Sequence, residues 1–142
     1  MGARRKSREY ALQVLYLMDI TKLEKSDAIR VVIGGAAPEK PIADFARHLV
    51  DGTSAHIEDL DLSIHKAAQH WEMKRMAALD RNILRMGAFE LLHELDTPPS
   101  VIIDEAVEIA KLFSTDESGK FVNGILDNIK NERKKTGTVK TN

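Results

Sequence analysis

Cysteine is absent from the 142 residues. That single absence removes disulfide frameworks, thiolate zinc sites, iron–sulfur clusters and cysteine nucleophiles together, and it suits a reducing compartment. Aromatic residues make up only 5 % of the chain, so a core has to be built from aliphatic side chains. Long apolar runs are missing as well. The longest uncharged one, residues 31–38, falls far short of the roughly 18 residues that a membrane span needs. A net charge of either sign is lacking too: 21 Lys and Arg against 22 Asp and Glu leave −1. What is present, 43 % hydrophobic and 30 % charged residues, is the composition of an ordinary globular chain large enough for one hydrophobic core.

Near-neutrality conceals a distribution. Residues 1–8 hold Arg4, Arg5, Lys6 and Arg8 with no acid, and residues 130–142 hold five cations against Glu132. Each end is +4, so residues 9–129 carry −9. The C-terminal block, 134–142 above all, reads as a basic flexible tail. The N-terminal block instead runs straight into a periodic helix that can hold its cations in fixed geometry. It is not a secretory signal, because Glu9, Gln13 and Asp19 interrupt the apolar stretch, and Lys6 stands where myristoylation wants Ser or Thr. A cytoplasmic protein without membrane association is expected.

Apolar residues recur at helical spacing in nearly every long segment and hardly ever alternate, which predicts an all-α bundle. The first helix covers about 4–20. Its core face takes Tyr10, Ala11, Val14, Leu15, Leu17 and Met18, and Arg5, Leu12 and Tyr16 form a separate stripe. A second helix, about 26–33, ends at Gly34-Gly35, with Pro38 and Pro41 in the loop that follows. From Ile42 the pattern Phe45, Leu49, His56, Leu60, Ile64 continues, with a break expected at Gly52-Thr53, and Trp71 lies in the next connection. Residues 79–95 are apolar all round, as befits a central helix. Ser100 is a candidate cap for a helix over 101–113, and Ser114 with Glu117 has capping-box spacing for a last helix carrying Val122, Ile125, Leu126 and Ile129 on one face.

Catalytic and metal chemistry find no support. The five histidines show no H-E-x-x-H, and Asp44/His48 and Asp61/His65 are more simply surface pairs on helices. His56, on the apolar stripe, reads as a hydrogen-bonded core histidine. Gly119-Lys120 is no P-loop, because Ser114 and Phe121 occupy positions that need Gly and Ser or Thr. No metal, no cofactor and no enzymatic activity are expected.

What remains is a mixture of cations, rings and short polar groups at two places, the chemistry of single-stranded RNA binding. One is the first helix; the other gathers Phe113, Glu117, Ser118, Lys120, Phe121 and Asn123. Each of these has a plainer role open to it: Phe113 and Phe121 as core edges, Glu117 in the capping box, Lys120 as a solvated charge. Gly119 and Gly124 cost about 1 kcal/mol each inside a helix and imply close approach, by a ligand or by a neighbouring helix.

Four segments carry a resemblance. They are Arg4-Arg5-Lys6-Ser7-Arg8-Glu9-Tyr10-Ala11-Leu12-Gln13-Val14-Leu15-Tyr16, Leu79-Asp80-Arg81-Asn82-Ile83-Leu84-Arg85, Ile103-Asp104-Glu105-Ala106-Val107-Glu108-Ile109-Ala110-Lys111 and Gly119-Lys120-Phe121-Val122-Asn123-Gly124-Ile125-Leu126-Asp127. In order and over about residues 3–130 they resemble the NusB family of transcription antitermination factors. The resemblance implies an all-α domain over 1–133, of about seven helices in two subdomains, about 1–70 and 71–133. It implies a non-enzymatic partner of the small-subunit ribosomal protein NusE that binds boxA RNA in nascent ribosomal RNA operon transcripts. Through the antitermination complex it would act indirectly on RNA polymerase. Carried over by position, RNA contacts fall on Arg4, Arg5, Lys6, Arg8 and Tyr16, and on Phe113, Glu117, Ser118, Lys120, Phe121 and Asn123. The protein-partner surface falls on Asp80 and Arg85. Four N-terminal phosphate contacts would give a log–log salt slope of about −2.8 on a single strand. The alternative reading is a helical protein-interaction module without specific RNA binding.

Overall fold

The computed structural model describes residues 2–69 and 71–141. Met1, His70, Asn142 and the side chains of residues 134–141, where the basic tail was expected, lie outside the described residues. Among the described residues seven α-helices follow in order: α1 (Gly2–Thr21), α2 (Lys25–Ile29), α3 (Lys40–Ala55), α4 (Ile57–Ala67), α5 (Ala78–His93), α6 (Pro99–Phe113) and α7 (Asp116–Thr141). A π turn, Arg30–Gly34, extends α2, and a 3-10 turn, Met73–Arg75, precedes α5. No strand occurs among the described residues, and no helix there is long and apolar enough to cross a membrane. The chain divides into two units, Met1–Ala55 and His56–Asn142. The division expected near residue 70 falls instead within the second unit, in the connection between α4 and α5.

In the first unit α1 packs on α3. Ala11, Leu12, Val14 and Leu15 of α1 are buried, as are Ala43, Ala46, Leu49 and Val50 of α3, where two positions three apart are alanine. Small residues at helical spacing let the two helices approach closely. The buried arc of α1 is turned from the expected one. Leu12 is fully buried, whereas Tyr10, Leu17 and Met18 are only half-buried. The helical run after α2 also passes straight through Gly34 and Gly35; the residue that leaves the helix is Ala37, at φ 48°. Pro38 follows it, and Pro41 sits inside the first turn of α3.

In the second unit α5 is central, packing on α4, α6 and α7. Ile83, Leu84, Met86, Ala88 and Leu91 bury essentially all sides of it, as the all-round apolar pattern predicts. Gly87 sets how near α7 comes, since a Cβ there would lie 2.9 Å from Leu126 Cδ1. The helix break expected at Gly52-Thr53 lies at His56 instead, the residue before α4, whose ring stacks on His93 at 4.0 Å between centroids. Pro98 and Pro99, rather than Ser100, start α6, because proline suits the first helical turn where its missing N–H is not needed. The start of α7 is displaced by one residue: Thr115, not Ser114, is its cap, and its Oγ1 accepts the Ser118 backbone N–H at 3.0 Å.

Candidate RNA and partner surfaces

The basic block lies within α1 from its first turn. Its placement depends on α3. Ser7 is buried and its hydroxyl donates to the Ile42 carbonyl at 2.9 Å, tying the first turns of α1 to the start of α3. One turn on, Phe45 offers its ring face. The Arg4 guanidinium stands 3.7 Å from the ring centroid and that of Arg8 5.7 Å. Such cation–π contacts fix guanidinium groups that otherwise sample many rotamers. The consequences for the two differ. Arg4 stays exposed, but Arg8 is only 5 % exposed and belongs to the packing of this unit. Lys6 is exposed beside Glu9 at 3.9 Å, and Arg5 is half-buried. Tyr16 is half-buried as well, and it lies three turns from Arg5, about 16 Å along one line of the helix.

The second set of candidates begins at Phe113, half-buried at the end of α6. The first turns of α7 then present Glu117 and Lys120 to solvent, paired with each other at 3.5 Å, and Asn123 beyond them. An exposed pair of this kind contributes about 0–1 kcal/mol, so Lys120 is readily given to an anion. Phe121 is half-buried, its ring meeting Trp71 at 6.0 Å, edge to face. Ser118 turns inward. It is buried, and its Oγ lies 2.9 Å from Ser114 Oγ and 3.3 Å from Asp80 Oδ2. That hydroxyl links the start of α7 to α5. The two glycines separate cleanly. A Cβ on Gly119 would meet Lys111 Cγ at 3.0 Å and Val107 Cγ1 at 3.5 Å, so α6 accounts for it. Gly124 is exposed, and a Cβ there would meet nothing within 4 Å.

Asp80 and Arg85, expected on a partner-facing surface, are both drawn into the second unit. Asp80 is buried and holds Ser118 through Oδ2; its Oδ1 has no hydrogen-bond partner. Arg85 grips Asp61 with both arms of its guanidinium, Nε to Oδ1 at 2.8 Å and one terminal nitrogen to Oδ2 at 3.0 Å, and a second terminal nitrogen reaches Asn82 Oδ1 at 3.2 Å. Its side chain is 12 % exposed. A bidentate pair of this kind fixes α4 against α5. Among the described residues no group of three or more His, Asp or Glu is arranged to hold a metal ion.

Comparison with known proteins bears on what this arrangement serves. The model of the NusB family matches residues 5–131. The chain belongs to the NusB family. It is 41 % identical over 138 residues to the transcription antitermination protein NusB of Desulforamulus reducens, covering 96 % of this chain and 95 % of that one. It is 44 % identical over 142 residues to NusB of Chloroherpeton thalassium, covering 96 % of this chain but 65 % of that protein's length. Among solved structures it resembles the NusB of a crystal structure of antitermination factors NusB and NusE in complex with dsRNA, with a TM-score of 0.86 and 29 % identity over 93 % of this chain and 98 % of that one. NusB proteins are antitermination factors and not enzymes.

Sequence reasoning overlooked Ser7 and Phe45, which aim the N-terminal cations. Ser7 carried a signal in its position among four cations. Phe45 carried none, because the contact joins residues far apart in the chain.

Proposed function

We propose that the chain is a cytoplasmic transcription antitermination factor that binds boxA RNA in nascent ribosomal RNA operon transcripts together with the ribosomal protein NusE. Through that complex it helps RNA polymerase read past terminators. The observation that carries this reading is the placement of Arg4, Arg5 and Lys6 on a helix pinned by Ser7 and Phe45, in a chain whose total charge is −1. A basic segment that served only for solubility would need no such anchoring. The NusB–NusE–dsRNA structure supports NusE and RNA as the classes of partner.

The electrostatic work falls to Arg4, Arg5, Lys6 and Lys120; Arg8 and Ser118 act by position. The shared line of Arg5 and Tyr16 suits a strand whose phosphate meets the guanidinium while a base rests on the tyrosine ring. NusE supplies additional RNA surface, and its docking depends on α5, whose pose Asp80 and Arg85 hold from within.

The double variant Arg5→Gln, Lys6→Gln spares the Arg4–Phe45 contact. It should lower the steepness of the log–log salt dependence of RNA binding by about 1.4, two contacts at about 0.7 each. An unaltered slope would remove these cations from the interface.

A further inference from the structure

The −9 carried by residues 9–129 is not uniform. Between α4 and α5 the chain reverses its sign: residues 66–75 hold Lys66, Lys74 and Arg75 against Glu72. All three cations are exposed. Among them in sequence stands Trp71, the chain's one tryptophan, 53 % exposed, its ring meeting that of Phe121. Burying that indole would be favourable, yet the fold leaves it out.

Nor is it left loose. α4 ends at Ala67 with Ala68 as its cap, and Gln69 takes the left-handed conformation at φ 54°, a place usually given to glycine because a Cβ is disfavoured there. The Trp71 backbone N–H then donates to the Ala68 carbonyl at 3.2 Å, and the Trp71 carbonyl lies 3.3 Å from His65 Nδ1. Asn128 of α7 donates to the Ala67 carbonyl at 3.0 Å, joining this turn to the helix that carries Phe121. An exposed indole thus stands on a strained and doubly tethered turn, edge to face with a ring that follows Lys120 in sequence.

Resting on the RNA-binding reading above, we infer that Trp71 is a base-stacking residue of this protein, forming with Phe121 an aromatic corner that receives an unpaired RNA base while Lys120, Lys74 and Arg75 attract its flanking phosphates. An exposed indole on a turn whose sequence carries exposed cations has the chemistry of an unpaired nucleobase site. Against a basic partner such as a ribosomal protein, the local positive charge is of the wrong sign.

Because Trp71 is the one tryptophan, its emission reports on this corner directly. Single-stranded boxA RNA carrying a fluorophore far from the ultraviolet is titrated with the full chain, and anisotropy and intrinsic emission are followed together. The inference expects emission to be quenched in step with the anisotropy rise, Trp71→Ala to bind about 5- to 100-fold more weakly, and Trp71→Phe to recover much of that loss. An anisotropy rise with unchanged tryptophan emission would overturn the stacking role while leaving RNA binding intact. Emission that responds to the ribosomal partner and not to RNA would reassign Trp71 to a protein interface and overturn it equally. No anisotropy change at all would contradict the RNA-binding reading itself, and the inference with it.

Discussion

Two guanidinium groups lean on the single ring of Phe45, and the difference between them shows how burial assigns roles to residues of one type. Arg4 at 3.7 Å keeps its outer side in solvent, whereas Arg8 at 5.7 Å is enclosed. An enclosed guanidinium releases no counterions when RNA binds, so it adds nothing to the salt dependence. Phe45→Leu keeps an apolar side chain of similar size but removes the ring. It should cost about 1 kcal/mol, a melting-temperature drop of roughly 2–4 °C for a domain of this size, and it should weaken RNA binding although Phe45 is assigned no RNA contact. An unchanged melting temperature would show that the ring holds neither arginine. The residue types for an RNA surface were visible in Arg4-Arg5-Lys6 and in Lys120-Phe121. Which of them face outward was not, because that depends on partners such as Phe45 and Asp80 in other helices. Asp80 and Arg85 show the same limit: charged residues in a recognisable motif can be committed to internal bonds, here with Ser118 and Asp61.

At the scale of elements, the helices themselves were legible because apolar residues at helical spacing mark a buried face whatever that face packs on. Their ends were less so. Ser114 and Thr115 compete for one cap, and Ser100 follows two prolines that already suit a first turn, so neighbouring residues with similar chemistry decide each boundary. The glycines of α5 and α7 give the sharpest test at this scale. Gly87→Ala forces a methyl against Leu126 in a filled core and should destabilise by about 1–3 kcal/mol. Gly124→Ala meets open space and should stabilise α7 by about 0.5–1 kcal/mol. If RNA lies close over this exposed face, the same Gly124→Ala change weakens RNA binding even as the melting temperature rises. Equal or tighter RNA binding by that variant would place the ligand elsewhere.

For the whole molecule, a total charge of −1 describes neither unit. The first begins with four cations, of which three remain available to solvent or partly so; the second, residues 56–142, sums to −3, its acidity offset by the turn around Trp71 and by the basic block at 130–142. Weak RNA binding by the chain alone, improved when a basic ribosomal partner covers acidic surface, follows from that division. Three available N-terminal cations in place of four lower their expected salt slope from about −2.8 to about −2.1. The central claim is sequence-specific RNA recognition shared with NusE, and it is tested most directly by titrating boxA RNA and a scrambled RNA of equal length against this protein with NusE present. Tighter binding of the boxA strand is the result predicted. Equal affinity for the two strands would contradict the account.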